Sequence, residues 1–66
     1  MTDSEIGERI RALRERAGIS QAELGRRLGW ARQTVSQVEA GERPVRWREQ
    51  EEIARALEAS VRDLVA

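Results

Sequence analysis

The sequence predicts an all-α domain built from five short helices, and three observations lead to that prediction. Apolar residues recur at spacings of three and four over most of the chain, which is the period of an amphipathic helix. Glycine, serine and proline interrupt this periodicity at the places where helices would end. The 66 residues contain no internal repeat or linker, so we expect one small domain over residues 1–66.

Composition excludes several classes of function before any motif is considered. The chain has no cysteine and no histidine, which removes disulfides, thiolate metal sites and the commonest general base. We expect no metal site, no cofactor and no enzymatic activity, because nucleophile–base pairs and phosphate-binding loops are also missing. No apolar run approaches the roughly 20 residues that span a bilayer, and the polar N-terminus is unlike a secretory signal. We therefore expect a cytoplasmic protein without membrane association or a small-molecule ligand.

The formal net charge is zero, but the charges are unevenly distributed. Residues 26–48 carry six arginines against two glutamates, a balance of +4, whereas residues 1–25 sum to −1 and residues 49–66 to −3. Local potential rather than net charge attracts a polyanion. All twelve basic residues are arginine, which suits bidentate contacts with phosphate and guanine. Coding bias in a GC-rich genome is the alternative explanation for the arginines.

The first helix is predicted to begin at Asp3 or Ser4 and to end at Gly18. Thr2 and Glu5 have the spacing of a capping box, in which each side chain bonds the backbone N–H of the other residue. Gly18 suits the position after a helix, where positive φ is favoured. The apolar stripe of this helix consists of Ile6, Ile10, Leu13 and Ala17.

The central segment predicts two more helices joined by a tight turn. The first covers residues 21–28 after a capping box at residues 20–23, and the second covers residues 31–40. Gly29 lies at the break, where positive φ is required. The missing side chain of Gly25 would let two helices cross closely. The buried set is expected to be Leu24, Leu28, Val35 and Val38.

The polar face of the third helix has the chemistry needed to read DNA. Burial of its valines leaves Arg32, Gln33, Ser36 and Gln37 facing outward. Gln33 and Gln37 lie one turn apart on the same face, with Arg32 beside them. Glutamine can make paired hydrogen bonds with adenine, and arginine with guanine, in the major groove. The alternative is a polar face that is merely solvated.

The remaining chain predicts a loop and two more helices. Pro44 excludes a helix through residues 41–46, and the fourth helix runs from residue 46 or 47 to residue 57 or 58. The acidic stretch 49–52 suits the first turn of that helix and should face away from DNA. Its inner face is expected to contain Trp47, Ile53, Ala54 and Leu57. The fifth helix, capped at Ser60, contributes the apolar residues Val61, Leu64 and Val65.

The stretch QAELGRRLGWARQTVSQVEAGER, residues 21–43, resembles the helix-turn-helix of the Cro/cI-type (XRE) repressor family. The likeness extends from Ile6 to Leu64 and implies a compact five-helix lambda-repressor-like DNA-binding domain with the helix-turn-helix at helices 2 and 3. The matching features are Gln21, Gly25, Gly29, Val35, Val38 and the pair Glu39 and Gly41.

The resemblance also implies roles for individual residues. Base edges would be contacted by Arg32, Gln33 and Gln37. The DNA backbone would be contacted by Gln21, Trp30, Thr34, Ser36, Arg43 and Arg46. The alternatives are that Gln21 only supports its helix cap and that Trp30 packs against the turn. Arg14 and Glu39 would form a partly buried ion pair that joins helices 1 and 3.

Two positions depart from the usual pattern of the family. Ala31 stands where Ser or Thr often caps the third helix, and losing such a cap typically costs about 1 kcal/mol. Glu42 stands where a basic residue is frequent.

The resemblance implies a sequence-specific transcriptional regulator, a repressor, that binds a pseudo-palindromic operator in double-stranded DNA as a homodimer. Surplus apolar residues of the fifth helix would supply the dimer contact. The alternative is an antitoxin or adapter-type protein-binding module that retains the fold. Zero net charge, Ala31 and Glu42 favour that alternative.

Overall fold

The computed structural model describes residues 1–65, and the backbone alone of Val65. It contains five helices and, within those residues, no strand. The helices are α1 (Asp3–Arg16), α2 (Gln21–Leu28), α3 (Arg32–Glu39), α4 (Trp47–Ala56) and α5 (Arg62–Val65). The predicted all-α fold with a helix-turn-helix at the second and third helices is therefore confirmed. The predicted ends agree with these bounds to within two residues, which is the usual uncertainty of helix termini.

Local capping explains where the first two helices begin. Thr2 Oγ1 accepts a hydrogen bond from Glu5 N at 3.2 Å, and Glu5 Oε1 accepts one from Thr2 N at 3.0 Å, so the predicted capping box is present. Ser20 Oγ likewise accepts from Glu23 N at 3.0 Å. The Glu23 carboxylate, however, pairs with the arginines at positions 26 and 27. Only half of the second predicted box is formed.

The core lies where α1, α2, α3 and α4 meet, and α5 closes it from one end. Its fully buried side chains are Ile10, Leu24, Ile53, Leu64, Val35 and Val38. Leu28 and Leu13, both predicted to be buried, are half-buried. Ala17, the C-cap residue of α1, is exposed, because burial along the stripe already falls off at Leu13, before the helix ends. Leu64 thus belongs to the core, and the side chain of Val65 lies outside the described residues.

The prediction that Trp47 belongs to the inner face of α4 is wrong, because 62% of this residue is exposed. Trp47 is the first residue of α4, and helical side chains point back toward the N-terminus. Its ring therefore projects beyond the end of the core. One turn later the inner position is taken by Gln50, which is buried and donates from Nε2 to Val45 O at 3.3 Å.

The close approach predicted at Gly25 is present, and a second one occurs at Gly7. A Cβ on Gly25 would lie 2.6 Å from Trp30 O, in the turn before α3, and 3.5 Å from Arg32 N, the first residue of α3. A Cβ on Gly7 would lie 2.6 Å from Glu39 O and would also overlap the carbonyl of Val38. The absence of a side chain at Gly7 therefore lets α1 pack directly on the backbone of α3.

Candidate nucleic-acid interface

One face of α3 is held against the core and the opposite face is open to solvent. Val35 and Val38 are buried, whereas Arg32, Gln33 and Gln37 are exposed. The hydrogen bonds between described residues leave these three side chains without a partner. The structure thus brings the three predicted base-contacting residues together on one accessible surface. Thr34 and Ser36, the predicted backbone contacts of this helix, lie half-buried along its edges.

The N-terminus of α3 has no side-chain cap, as its alanine predicted. Ala31 has extended backbone angles and makes no side-chain hydrogen bond to the first turn. The backbone N–H groups of Thr34 and Val35 bond to Ala31 O at 3.0 and 3.3 Å. The earlier N–H groups of the turn are left for an outside acceptor, and the helix dipole adds partial positive charge at this end.

The turn between α2 and α3 is compact because its glycine adopts a left-handed conformation. Gly29 has φ +74°, which returns the chain so that Trp30 N donates to Gly25 O at 2.7 Å. The Trp30 ring is half-buried and packs against the core. This position supports the packing role that was one of its two predicted alternatives. Contact between its indole and DNA stays a prediction.

A cluster of three side chains fastens the loop after α3 to its surroundings. The Arg43 guanidinium carbon lies 5.0 Å from the centroid of the Trp30 ring, within the range of a cation–π contact. Arg43 Nη2 also lies 2.9 Å from Glu49 Oε2, and Nη1 lies 3.3 Å from Oε1. Glu49 in turn accepts a bond from Arg46 N at 3.0 Å at the start of α4. We call Trp30, Arg43 and Glu49 the loop clasp.

The charges of the loop clasp stabilise each other. Hydrogen bonds from Arg43 lower the pKa of the Glu49 carboxyl and raise the pKa of the Arg43 guanidinium. Arg43, a predicted phosphate contact, therefore already has an anionic partner in the free protein. Arg46, the other predicted contact of this loop, and the neighbouring Arg48 are exposed, and the described residues offer their guanidinium groups no ion pair.

The predicted ion pair between Arg14 and Glu39 is present in the structure and is nearly closed off from water. Arg14 Nε lies 2.6 Å from Glu39 Oε2, and Nη2 lies 3.1 Å from Oε1. The Arg14 side chain is 11% exposed and the Glu39 side chain 3%. Arg14 Nη1 also donates to Ile19 O at 2.9 Å. The pair joins α1 to the last residue of α3.

Gln21 extends this pair to α2, which sequence reasoning missed. Gln21 Nε2 lies 3.1 Å from Glu39 Oε1, so one carboxylate accepts from side chains of two other helices. We call Arg14, Glu39 and Gln21 the buried lock. The contact joins residues 18 positions apart on separate helices, and no local sequence signal marks such a pairing. The amide of Gln21 does more than support a helix cap.

The two clusters lie at opposite ends of α3. The buried lock places Gln21 beside its C-terminal end, and the loop clasp places the first turn of α4 beside the turn that precedes it. Groups that can donate hydrogen bonds therefore lie beside both ends of α3.

The described part of the chain offers neither a metal site nor a membrane span. It contains no group of three or more acidic side chains arranged to hold a metal ion. None of its helices combines the length and the apolar character needed to cross a membrane.

Comparison with known proteins gives a consistent result. Residues 5–66 match the sequence profile of a family described as a helix-turn-helix domain. The restriction–modification controller protein C.AhdI from Aeromonas hydrophila is 35% identical, with a TM-score of 0.89 over 94% of this chain and 90% of that one. The DNA-binding domain of the P22 C2 repressor is 34% identical, with a TM-score of 0.87 over 98% of this chain and 86% of that one.

A third solved structure is more distant in sequence but fits more closely. The clp gene regulator ClgR from C. glutamicum is 25% identical, with a TM-score of 0.94 over 98% of this chain and 83% of that one. A search of curated protein sequences gave no match. The three solved structures are all of regulators, and the chain spans most of each.

Proposed function

Because this chain is a DNA-binding transcription regulator of the Cro/cI-type helix-turn-helix family, we propose that it reads a pseudo-palindromic operator with α3. The observation that carries the proposal is the exposed, unpaired set Arg32, Gln33 and Gln37 on a helix whose opposite face is buried. In the major groove, Gln33 and Gln37 would bind adenine edges, and Arg32 would bind guanine.

Phosphate contacts on both sides of α3 would set the register of the protein on DNA. Gln21 would donate from one flank and Arg46 from the other, with Thr34 and Ser36 along the edges of the helix. To contact phosphate, Arg43 would have to give up its ion pair with Glu49. The indole N–H of Trp30 would make the weakest of these phosphate contacts, because its ring packs against the core.

We assign the protein as a homodimer on DNA, working as a repressor in the cytoplasm and without catalytic activity. A two-fold dimer would place its two α3 helices about 34 Å apart, one turn of the duplex, and would select a symmetric site. The P22 C2 repressor, whose DNA-binding domain this chain resembles, supports the sign of regulation. Leu64 is used in the core. Among the described apolar side chains predicted for the dimer contact, half-buried Val61 would therefore supply it.

The test is selection from a randomised duplex library at moderate salt, with the wild type and the double variant Gln33→Ala/Gln37→Ala. We expect the wild type to enrich a two-fold symmetric motif and the double variant to relax it at the central positions of each half-site. The matched control is Arg11→Ala/Glu15→Ala, which removes an exposed pair on α1. It should leave the motif intact.

Salt dependence separates this proposal from the adapter interpretation. A reader of DNA loses affinity steeply as salt rises, because phosphate contacts release counterions. If no motif is enriched and binding stays weak at low salt, operator reading is wrong. A protein-binding module that retains the fold would then be the better interpretation, and a partner chain should be sought.

A further inference from the structure

Gln21 is the residue through which the buried lock reaches the surface. It is the first residue of α2 and is half-buried, and its Nε2 lies 3.1 Å from Glu39 Oε1. Arg14 binds the same carboxylate through both of its oxygens. The lock therefore connects the inside of the domain to a side chain on the edge of the proposed DNA surface.

The chemistry of Glu39 determines which end of the Gln21 amide faces inward. An ionised carboxylate only accepts hydrogen bonds, so it can bind the amide NH₂ but not the amide carbonyl. Nε2 carries two hydrogens, and the bond to Glu39 uses one of them. The other is left to donate to an acceptor outside the lock.

The carboxylate itself is held in place, which gives this orientation its precision. Arg14 Nε approaches Glu39 Oε2 to 2.6 Å, and Arg14 is in turn fixed by its bond to Ile19 O at 2.9 Å. With 3% of its side chain exposed, Glu39 has almost no access to water as an alternative partner. Neither member of the ion pair can turn without leaving a buried charge unpaired.

We propose that Glu39 is a positioning residue for DNA binding, which holds the Gln21 amide so that its second N–H is presented to a DNA phosphate. The inference rests on the proposed function and connects the ion pair of the fold to a phosphate contact of that function. The carboxylate that ties α3 to α1 also orients the phosphate contact made from α2. Base reading by α3 and phosphate contact at its flank are thereby kept in one register.

Glu39→Gln tests this link because it preserves the shape of the side chain and changes one oxygen to NH₂. The shortest contact, from Arg14 Nε to Oε2, favours keeping the remaining oxygen there. The new NH₂ takes the place of Oε1, so it faces Gln21 and also Arg14 Nη2, which loses its acceptor. The Gln21 amide must turn over to present its carbonyl inward. Its N–H groups are no longer offered to phosphate from the same position, so operator affinity should fall.

The measurement is the operator Kd of the wild type, Gln21→Ala, Glu39→Gln and the double variant, below the unfolding transition of each as shown by circular dichroism. Losing a hydrogen bond to a charged phosphate predicts a loss of about tenfold for each single variant. The double variant should lose the same factor and no more. A purely structural Glu39 would instead weaken binding further in the Gln21→Ala background.

Ile53→Val is the control for lost stability, since it removes a buried methylene group from the core side of α4 and leaves all three residues of the buried lock in place. It should lower the denaturation midpoint and leave the operator Kd unchanged. NMR of the Gln21 side-chain amide tests the same point in the wild type, without a substitution at Glu39. On addition of operator, the chemical shift of the proton bonded to Glu39 should stay unchanged, and that of the other proton should move.

The outcomes separate this inference from the proposed function. If Gln21→Ala weakens binding and Glu39→Gln does not, or if their effects multiply, the positioning role is wrong and operator reading stands. Two Gln21 amide protons that both exchange freely with water in the free protein would also overturn it. If the wild type selects no motif, the proposed function fails, and the positioning role fails with it.

Discussion

The buried lock and the loop clasp are both built around an arginine–carboxylate pair, and they differ in burial more than in chemistry. Side-chain exposures are 11% and 3% for Arg14 and Glu39, against 34% and 19% for Arg43 and Glu49. A nearly closed pair cannot change partners without stranding a buried charge, whereas a partly open pair can accept water or phosphate instead. We therefore expect the first pair to stay fixed, and the second to be able to exchange Glu49 for phosphate.

Arg14→Met should separate the two pairs most clearly. It leaves the Glu39 carboxylate buried with Gln21 as its only remaining side-chain donor among the described residues. Breaking a buried pair in this way costs about 3–5 kcal/mol, which is a large share of the stability of a small domain. Urea denaturation followed by circular dichroism measures the change.

Arg11→Met is the matched control for that substitution. Arg11 lies on the same helix and pairs with Glu15 at 3.3 Å, but both side chains are more than half exposed. Exposed pairs contribute little, so the free energy of unfolding should change by no more than about 0.5 kcal/mol. Equal losses in the two variants would contradict the distinction drawn from burial.

Gly7→Ala tests the backbone side of the same α1–α3 contact. The added Cβ would lie 2.6 Å from Glu39 O, and because the neighbour is backbone the helices must move apart. Overpacking of this kind costs about 1–3 kcal/mol, despite the higher helix propensity of alanine. The denaturation midpoint should fall, whereas Glu8→Ala, an exposed neighbour on α1, should leave it nearly unchanged.

The helix ends and the buried ion pair differ in how far the sequence alone could predict them. Helix ends were predictable because caps and turn glycines are local signals: Thr2 with Glu5, Ser20, and Gly29 lie within a few residues of the ends they define. The Arg14–Glu39 pair was predictable only through the family resemblance, since its members are 25 residues apart.

Other features depend on packing between distant parts of the chain. The sequence around Gly7 gives no sign of its role, because its close contact is with the backbone of α3, which is distant in the chain. Trp47 fits the apolar spacing of α4, but it is the first residue of that helix and its side chain points back beyond the end of the core. The exposure of Gln33 and Gln37 could be predicted from periodicity, but their DNA contacts stay predictions.

Ala31→Ser concerns the uncapped helix end that adjoins the loop clasp. A serine hydroxyl could accept from the open first turn of α3, which alanine cannot do. A new N-cap should raise the free energy of unfolding by about 1 kcal/mol. Denaturation of the variant at neutral pH measures the gain, and no gain would mean that the first turn of α3 already has an acceptor.

The smallest stability effect is expected at the loop clasp, and it should depend on pH. Arg43 lowers the pKa of Glu49, so the folded state binds a proton less readily than the unfolded chain. The contribution of the pair is therefore present above the unfolded pKa of about 4.3 and is lost as pH falls through the lower folded value. At neutral pH, Glu49→Gln should cost no more than about 1 kcal/mol, and this difference from the wild type should vanish in acid.

The same substitution should have the opposite effect on DNA binding. Without Glu49, the Arg43 guanidinium is free to contact phosphate, so operator affinity should rise and its logarithmic salt dependence should steepen by about one unit. Glu52→Gln removes the same charge from an exposed position on α4 and should leave the slope unchanged. An unchanged slope for Glu49→Gln would mean that Arg43 stays on Trp30 in the complex. The loop clasp would then be a fixed part of the fold, like the buried lock, and burial would be a poor guide to which ion pairs can exchange.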